Sequence, residues 1–217
     1  MRKMHVTEFQ NMSFAIGSIK KETVKMAKSI KGSQTEKNLL KAFAGESQAR
    51  NRYAYSAGVA AKEGYEQIAA IFEETAEQER IHAKNYFKFL EGGDLEITAS
   101  YPAGMIGNTE QNLTAAAAGE HHEWSNLYPS FAKIAEDEGY KEVAILFRMI
   151  SNAEKGHDER YSALLKNLKD GKVFKKDDKV KWQCRKCGYI HEGPEALKKC
   201  PACQHPQSYF EIQRQNW

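Results

Sequence analysis

The chain has 217 residues, of which 41% are hydrophobic and 28% are charged, and its formal net charge is +3. These values are typical of a soluble globular protein with one mid-sized domain and a smaller one. No run of about eighteen apolar residues is present, so we predict no membrane-spanning helix. The mild charge, without a basic patch interleaved with aromatic residues, gives no reason to expect a nucleic-acid partner.

Residues 1–26 are predicted to form a frayed extension that precedes the folded domains. A transit peptide would be poor in acidic residues, but Glu8 and Glu22 interrupt this segment. A secretory signal would contain a continuous apolar core, which the segment lacks. Met26 is an alternative start of the protein, because the strongly patterned sequence begins just after it.

Two segments of the chain match each other at an offset of 75 residues. The matched residues are Tyr53 with Tyr128, Glu63-Gly64-Tyr65 with Glu138-Gly139-Tyr140, Phe72 with Phe147, Glu79 with Glu154, His82 with His157 and Tyr86 with Tyr161. So many matches indicate a duplicated unit. The glycines mark a turn between two helices in each unit, which predicts a bundle of four helices.

The four helices are predicted over residues 35–62, 65–91, 109–137 and 140–169. Ser33 or Thr35 can cap the first helix, and Pro129 predicts a kink or local break within the third. The connection 92–108 contains four glycines and cannot be helical throughout. Extended, it reaches roughly 50 Å, and the second helix is about 40 Å long. It can therefore cross the whole bundle, as a ferritin-like fold requires, although it could also fold locally.

Carboxylates and histidines recur at matched places of the duplication as two ExxH motifs. Residues three apart share one helix face, so the two side chains of each motif point at one locus. The first and third helices add further glutamates, and this combination is the di-iron carboxylate pattern. Bridging carboxylates offset the charge of two irons, and imidazole fills terminal positions. The predicted metal and catalytic residues are Glu46, Glu79, His82, Glu120, Glu123, Glu154 and His157.

The third helix supplies one carboxylate more than this pattern needs. Glu120 and Glu123 lie three apart on one face, so the extra group could bind iron in only one redox state. Glutamates on a solvated face are the alternative interpretation, since a single ExxH motif means little by itself. Glu46 and Glu120 are 74 residues apart, one short of the repeat.

Two further pairs of residues lie near these motifs in the sequence. Tyr53 and Tyr128 either donate hydrogen bonds to the ligand carboxylates or pack in the core. His121 and His122 match no ligand position in the repeat, and we expect them beside the site or at the surface.

Four cysteines form two CxxC pairs near the C-terminus, and the rest of the chain has none: Cys184, Cys187, Cys200 and Cys203. Four thiolates from two tight loops predict a tetrahedral site for iron or zinc in a reducing compartment. A zinc ribbon shares this spacing, and it would be an interaction module with no redox role. A domain of about 40 residues has little core, so the metal should contribute much of its stability.

These motifs together resemble the rubrerythrin family over residues 27–217. The resemblance is carried by Ala44-Gly45-Glu46-Ser47-Gln48-Ala49-Arg50-Asn51, Gln78-Glu79-Arg80-Ile81-His82, Ala118-Gly119-Glu120-His121-His122-Glu123 and the two cysteine knuckles. It implies a mainly α fold. A ferritin-like four-helix bundle would span residues 27–170, and a rubredoxin-like domain with one iron on its four cysteines would span residues 171–217.

The resemblance also implies roles for the bundle residues. Six residues would bind the two irons: Glu46, Glu79, Glu120, Glu123, Glu154 and His157. His82 is similar to the family histidine that replaces the extra glutamate, here Glu123, on one iron upon reduction. Zinc can replace iron in such sites during purification.

Family resemblance further implies a cytoplasmic peroxidase that reduces hydrogen peroxide to water. It implies a homodimer in which the rubredoxin-like iron of one subunit faces the di-iron site of the other. No thiol is left over as a peroxidatic nucleophile, which favours a metal route. No GxGxxG motif follows a strand, so NADH is not bound in the usual way, and rubredoxin or an NAD(P)H-dependent reductase would deliver the electrons. A ferroxidase or iron-handling protein is the alternative function, and it would leave the C-terminal iron without a purpose.

Overall fold

The computed structural model describes residues 28–216, so the predicted extension over residues 1–26 lies outside the described residues. Within the described part, the bundle is built from α1 (Gln34–Lys62), α2 (Glu66–Phe87), α3 (Thr109–His122), a π-helical segment (Glu123–Leu127), α4 (Tyr128–Asp137) and α5 (Lys141–Lys169). The mainly helical, ferritin-like architecture predicted from the sequence is confirmed. In the same residues, no helix is long and apolar enough to cross a membrane.

The helix ends show the duplication directly. Ser33 is the N-cap of α1, and its side chain accepts a hydrogen bond from the backbone N–H of Glu36. Gly64 and Gly139 have φ angles of 84° and 87°, in the left-handed region that favours glycine. Because both repeats use the same turn, the second helix of each pair starts at the same place in its unit.

The second helix is shorter than predicted, because α2 ends at Phe87 and not at residue 91. The carboxylate of Glu91 accepts hydrogen bonds from the Ser29 hydroxyl and the Ile30 backbone N–H, at 2.6 and 3.0 Å. Gly92 and Gly93 follow with φ angles of 84° and 89°. The last predicted turn is therefore replaced by a link between the end of α2 and the segment before α1.

The predicted break near Pro129 is confirmed. The π-helical segment separates α3 from α4, and Pro129 lies in the first turn of α4. A π-helical turn holds one more residue than an α-helical turn. Before the π segment, Glu120 lies 74 residues after its counterpart Glu46, and after the segment, Tyr128 lies 75 residues after its counterpart Tyr53. The extra residue of the π-helical turn accounts for this difference.

The connection between α2 and α3 crosses the bundle along α1. The Tyr101 hydroxyl donates to the Lys41 carbonyl at 2.8 Å, near the start of α1. At the other end, the Thr109 backbone N–H donates to Glu63, just after α1, at 3.0 Å. This path confirms the long crossover and rejects the alternative in which the segment folds up locally.

Two apolar cores fill the bundle, one on each side of a layer of buried glutamates. The first contains Leu39, Tyr86, Tyr128, Phe147 and Ile150. The second contains Tyr53, Phe72, Ala76, Leu113 and Tyr161. In α1, α2 and α5, the glutamate of this layer lies between residues of one core and residues of the other, whereas α3 contributes to the second core and α4, after the π-helical segment, to the first. The apolar packing therefore holds the polar layer from both sides.

A three-stranded antiparallel sheet with the order β2-β1-β3 follows the bundle. Its strands are β1 (Lys175–Cys184), β2 (Ile190–Glu195) and β3 (Phe210–Ile212). Trp182 and Phe210 form its small core with two of the cysteines. The Tyr65 ring stacks on Phe174, with ring centroids 6.2 Å apart. This contact places the sheet beside the α1–α2 turn. The division into residues 27–170 and 171–217 stays a prediction.

Candidate metal centres

The bundle centre collects acidic side chains from four helices. Glu46 of α1, Glu79 of α2, Glu120 of α3 and Glu154 of α5 are each at most 1% exposed. Carboxylates are very rarely buried this deeply unless they are paired or bind metals. This burial rejects the interpretation of these glutamates as a solvated helix face.

Donor atoms in this layer form two overlapping groups. One group contains Glu46, Glu79, His82 and Glu154, and the other contains Glu79, Glu120, Glu154 and His157. Within each group, the possible ligand atoms lie within 4.8 Å of one another. The two groups share Glu79 and Glu154, one from each ExxH motif. This arrangement can hold two neighbouring cations, with the shared carboxylates between them.

Glu123 belongs to neither group. It is the first residue of the π-helical segment and is only partly buried. Its negative charge helps to raise the pKa of Glu46, and Glu120 is the carboxylate that most raises the pKa of Glu123 itself, so Glu123 lies close to both groups. Burial, and then the charges of Glu120, Glu154 and Glu79, raise its own pKa well above the usual range. The structure therefore unites six of the seven predicted bundle residues and leaves Glu123 beside them.

The imidazole of His157 is oriented as a metal ligand would be. Its Nε2 lies 2.9 Å from the side-chain oxygen of Gln78, which can only accept, so Nε2 carries the proton. Its Nδ1 lies 2.8 Å from Glu154 and 3.1 Å from Glu79 but forms no hydrogen bond. A lone pair facing carboxylate oxygens is repulsive, so either a metal ion or a proton on Nδ1 must lie between them.

Unsatisfied carboxylate oxygens give the second sign of a cation site. Glu46 and Glu120 each have a buried oxygen without a hydrogen-bond partner, and both oxygens of Glu154 lack one. Burial raises the pKa of Glu46 well above its usual range and that of Glu120 to about 8, with contributions from neighbouring carboxylates. Because these oxygens have lost water without gaining donors, cations are the partners that would stabilise them.

Histidine protonation compensates part of this charge in the absence of a cation. Burial lowers the pKa of His82 and His157, but the surrounding carboxylates outweigh it and raise the two values to about 10 and about 12. Burial raises the pKa of Glu79, but the neighbouring His157 and His82 outweigh it and lower the value to about 2. Carboxylates with imidazole suit iron, so this donor set fits the predicted di-iron centre.

Two tyrosines related by the duplication contact Glu46 and Glu120, the two glutamates that each belong to only one donor group. The Tyr53 hydroxyl donates to Glu120 at 2.5 Å, and the Tyr128 hydroxyl donates to Glu46. Both side chains are at most 5% exposed and pack on other aromatic rings. Both predicted roles of these tyrosines are therefore present, since they donate hydrogen bonds to carboxylates and also pack in the core. His121 and His122 are exposed, and His121 lies 3.0 Å from Asp158 at the surface.

Gln78 and Arg160 were not predicted as site residues. Arg160 donates to the Gln78 oxygen at 3.1 Å, and this same oxygen orients His157. The duplication gave no signal for them, because Ala153 and Asn85 occupy the corresponding positions. Their functional contacts exist in only one half of the bundle.

The four cysteine sulfurs of the C-terminal domain lie within 4.8 Å of one another. Cys184 and Cys203 are 3.7 Å apart, and Cys187 and Cys200 are 3.6 Å apart. A tetrahedral metal with bonds of about 2.3 Å would separate its sulfurs by about 3.8 Å. The distances are far too long for disulfides, for which about 2.0 Å is required. The geometry therefore fits one metal on four thiolates.

Each CxxC pair forms the same backbone loop. Gly188 donates to the Cys184 carbonyl at 2.8 Å, and Gln204 donates to the Cys200 carbonyl at 2.9 Å. Burial raises the pKa of the Cys200 thiol, but hydrogen bonds from the Cys203 and Ala202 backbone outweigh it and lower the value to about 7. Such backbone bonds favour the thiolate form that binds metal, whereas at Cys203 a backbone bond is outweighed by burial and the neighbouring cysteines, which raise the pKa to about 12.

The bundle and the sulfur site together define a ferritin-like di-iron protein with a C-terminal rubredoxin-like domain. Residues 37–165 match the family described as Rubrerythrin, and residues 182–211 match the Rubrerythrin, rubredoxin-like domain. The chain belongs to the rubrerythrin family, a family of iron-dependent oxidoreductases involved in oxidative stress defence.

Individual relatives support this membership over nearly the whole chain. Rubrerythrin from Porphyromonas gingivalis is 62% identical over 200 residues, which cover 92% of this chain and 100% of that protein. Rubrerythrin from Nitratidesulfovibrio vulgaris is 58% identical over 190 residues, covering 88% of this chain and 100% of that protein. A solved structure of fully reduced, all-ferrous nigerythrin has a TM-score of 0.56 at 35% identity, covering 88% of this chain and 96% of that one.

Proposed function

We propose that this protein is a non-haem di-iron peroxidase that reduces hydrogen peroxide to water. The observation that carries this proposal is the pair of donor groups that share Glu79 and Glu154, with Glu123 just outside them. Two irons bound there would supply one electron each to the O–O bond of peroxide. Family membership and the four-cysteine site, which gives electrons a way in, support the same function.

The bundle residues divide into bridging and terminal roles in this proposal. Glu79 and Glu154 belong to both donor groups and would be shared by the two irons. Glu46 with His82 would complete one iron site, and Glu120 with His157 would complete the other. The hydroxyls of Tyr53 and Tyr128 orient the terminal carboxylates, and Gln78 orients the His157 ring. These contacts fix the ligands before the metal binds.

His82 and Glu123 would exchange at one iron during turnover. The Nδ1 atom of His82 lies 2.9 Å from both Glu79 and Glu154, within the first donor group. Glu123 lies outside that group and is the first residue of the π-helical segment, where backbone bonding is already altered. A ligand set that gains a carboxylate on oxidation offsets the increased charge of the metal.

Substitution of Glu123 by alanine tests this exchange. We expect Glu123→Ala to keep both irons, because both donor groups remain, and to lower peroxidase turnover by about tenfold or more. Iron content and steady-state kinetics measure the two effects. Glu73→Ala, an exposed glutamate on α2, is the matched control. Unchanged turnover in Glu123→Ala would refute the exchange.

Electrons would reach the bundle from the rubredoxin-like domain of a partner subunit. Within one chain, this domain packs near the N-terminus of α2, where Tyr209 contacts Glu66. At about 1.5 Å per residue, Glu79 lies about 20 Å further along that helix. A head-to-tail homodimer would shorten this path. Rubredoxin or an NAD(P)H-dependent reductase would supply the electrons, in the cytoplasm.

Visible spectroscopy of protein made with ample iron tests the function. We expect ferric-thiolate absorption that a reductant bleaches and hydrogen peroxide restores, with one peroxide consumed per two electrons. A ferroxidase would instead reoxidise faster with oxygen than with peroxide. A colourless four-cysteine site would favour a zinc ribbon and refute the proposed electron path.

A further inference from the structure

A cavity of about 310 Å³ lies between α1, the α2–α3 connection and α3. Its inner wall includes Tyr53, Glu123 and Tyr128, so it ends at the proposed iron centre. Its outer part is lined by exposed residues such as Ser100, Pro102 and His122. The cavity therefore leads from the surface to the side of the centre where Glu123 is located.

The cavity is much larger than hydrogen peroxide needs. A water molecule occupies about 30 Å³ of liquid volume, and an engineered apolar cavity of about 150 Å³ binds benzene. Much of the wall is apolar, with Ala49, Leu127 and Phe131 among its residues. The volume and lining suit a compact apolar group attached to a peroxide that reaches the centre.

Two glycines within helices create part of this space. Gly45 and Gly119 each precede a buried glutamate and occupy corresponding places in the two repeats, and both line the cavity. A glycine within a helix costs about 1 kcal/mol relative to alanine. A Cβ on Gly119 would meet nothing within 4 Å, and one on Gly45 would lie 3.7 Å from the Tyr101 ring. Close helix packing therefore does not require either glycine.

We propose that this cavity binds the organic group of alkyl or aryl hydroperoxides, which the protein reduces along with hydrogen peroxide. The inference rests on the proposed peroxidase function. In the reaction, ROOH takes up two electrons and two protons, the O–O bond breaks, and ROH and water form. The reduced iron centre would provide the electrons, and the external reductase would replace them.

Kinetics of the iron-loaded full chain with its reductase test the proposal. We expect reduction of cumene hydroperoxide as well as hydrogen peroxide. Gly119→Leu fills the cavity, so the ratio of kcat/KM for cumene hydroperoxide to that for hydrogen peroxide should fall by about tenfold or more. Gly58→Leu is the matched control, because Gly58 is an exposed glycine within α1 that does not line the cavity. Ala115→Leu, one turn before Gly119 on the cavity wall, replaces Gly119→Leu if that variant does not fold.

A binding measurement separates this inference from the peroxidase proposal. Calorimetry should detect binding of cumyl alcohol, the product, to the oxidised iron-loaded protein and to Gly58→Leu, with binding lost in Gly119→Leu. Equal binding in all three would overturn the inference, as would reduction of hydrogen peroxide without reduction of cumene hydroperoxide. If neither peroxide is reduced, the peroxidase proposal fails, and the calorimetry alone decides whether the cavity binds organic groups.

Discussion

The bundle centre and the four-cysteine site hold their donors in opposite ways. The sulfurs come from two short loops within twenty residues, whereas the carboxylates come from four helices between Glu46 and His157. The small domain has a core of few side chains, and two cysteines belong to it. The bundle has an apolar core on each side of its polar layer. The comparison indicates that metal is needed to fold the small C-terminal domain, whereas in the bundle it only completes a site that is already folded.

Removal of metal should have the largest effect, and it should act on the small domain. A structural metal on four thiolates contributes about 10 kcal/mol or more to folding, which exceeds what this core can replace. We expect the iron-free chain to be cleaved rapidly by protease within residues 175–216, while its helical circular dichroism is largely kept. Cys200→Ser should behave in the same way, and Ala202→Ser, in the same loop, is the control. Loss of the helical signal together with the sheet would contradict the comparison.

A second expected effect concerns the pH dependence of the iron-free bundle. The pKa of Glu120 is raised to about 8, so the folded state keeps a proton that the unfolded chain loses near pH 4.5. Folding then takes up a proton, and stability falls as the pH rises from about 4.5 to 8. His82 and His157, raised to about 10 and about 12, add stability that is full below pH 6.5 and is lost above it.

Glu120 acts over the whole range between pH 5 and pH 8, and the two histidines act in the same direction above pH 6.5. Glu79, with its pKa lowered to about 2, loses its contribution only below about pH 4.5 and does not oppose them in this range. We therefore expect the Tm of the iron-free bundle to decrease from pH 5 to pH 8. The iron-loaded bundle is the control, since metal binding releases these protons and strengthens as the pH rises. An iron-free Tm that increases over this range would show that the buried charges are compensated in another way.

Substitution of the two tyrosines should have a smaller effect on iron affinity, and it allows the two halves of the bundle to be compared. Tyr53→Phe and Tyr128→Phe each leave one terminal carboxylate without its donor, so we expect iron affinity to fall by about tenfold. Stability of the iron-free chain should change by about 1 kcal/mol. Iron competition with a chelator measures the first effect, and Tyr55→Phe, exposed on α1, is the control. No loss of affinity in either variant would mean that these hydroxyls only fill the core.

Local spacing and duplication made most of the fold and the site predictable. The ExxH pairs, the glycine turns and the break near Pro129 are each visible within a few residues of sequence. The early end of α2 was not predictable, because Glu91 bonds Ser29 and Ile30, more than sixty residues away. Gln78 and Arg160 were missed for a related reason, since the contact between them joins α2 to α5 and has no counterpart in the other repeat. The cavity beside Glu123 depends on which helices become neighbours, and no motif encodes that.

The smallest expected effect compares the two cysteine loops. Gly188 and Gln204 occupy the same place after the second cysteine of each pair, with φ angles of 78° and 64°. A side chain in this left-handed region costs about 1–2 kcal/mol, and the greater freedom of unfolded glycine offsets about 0.5–1 kcal/mol of that. Gln204→Gly should therefore stabilise the metal-loaded domain, and Gly188→Gln should destabilise it, each by about 0.5–1 kcal/mol. Urea unfolding of the metal-loaded full chain measures both changes. If Gln204→Gly is the more damaging substitution, the contact of the Gln204 side chain with Pro201 at 3.2 Å must outweigh the backbone cost, and the two loops are then not equivalent.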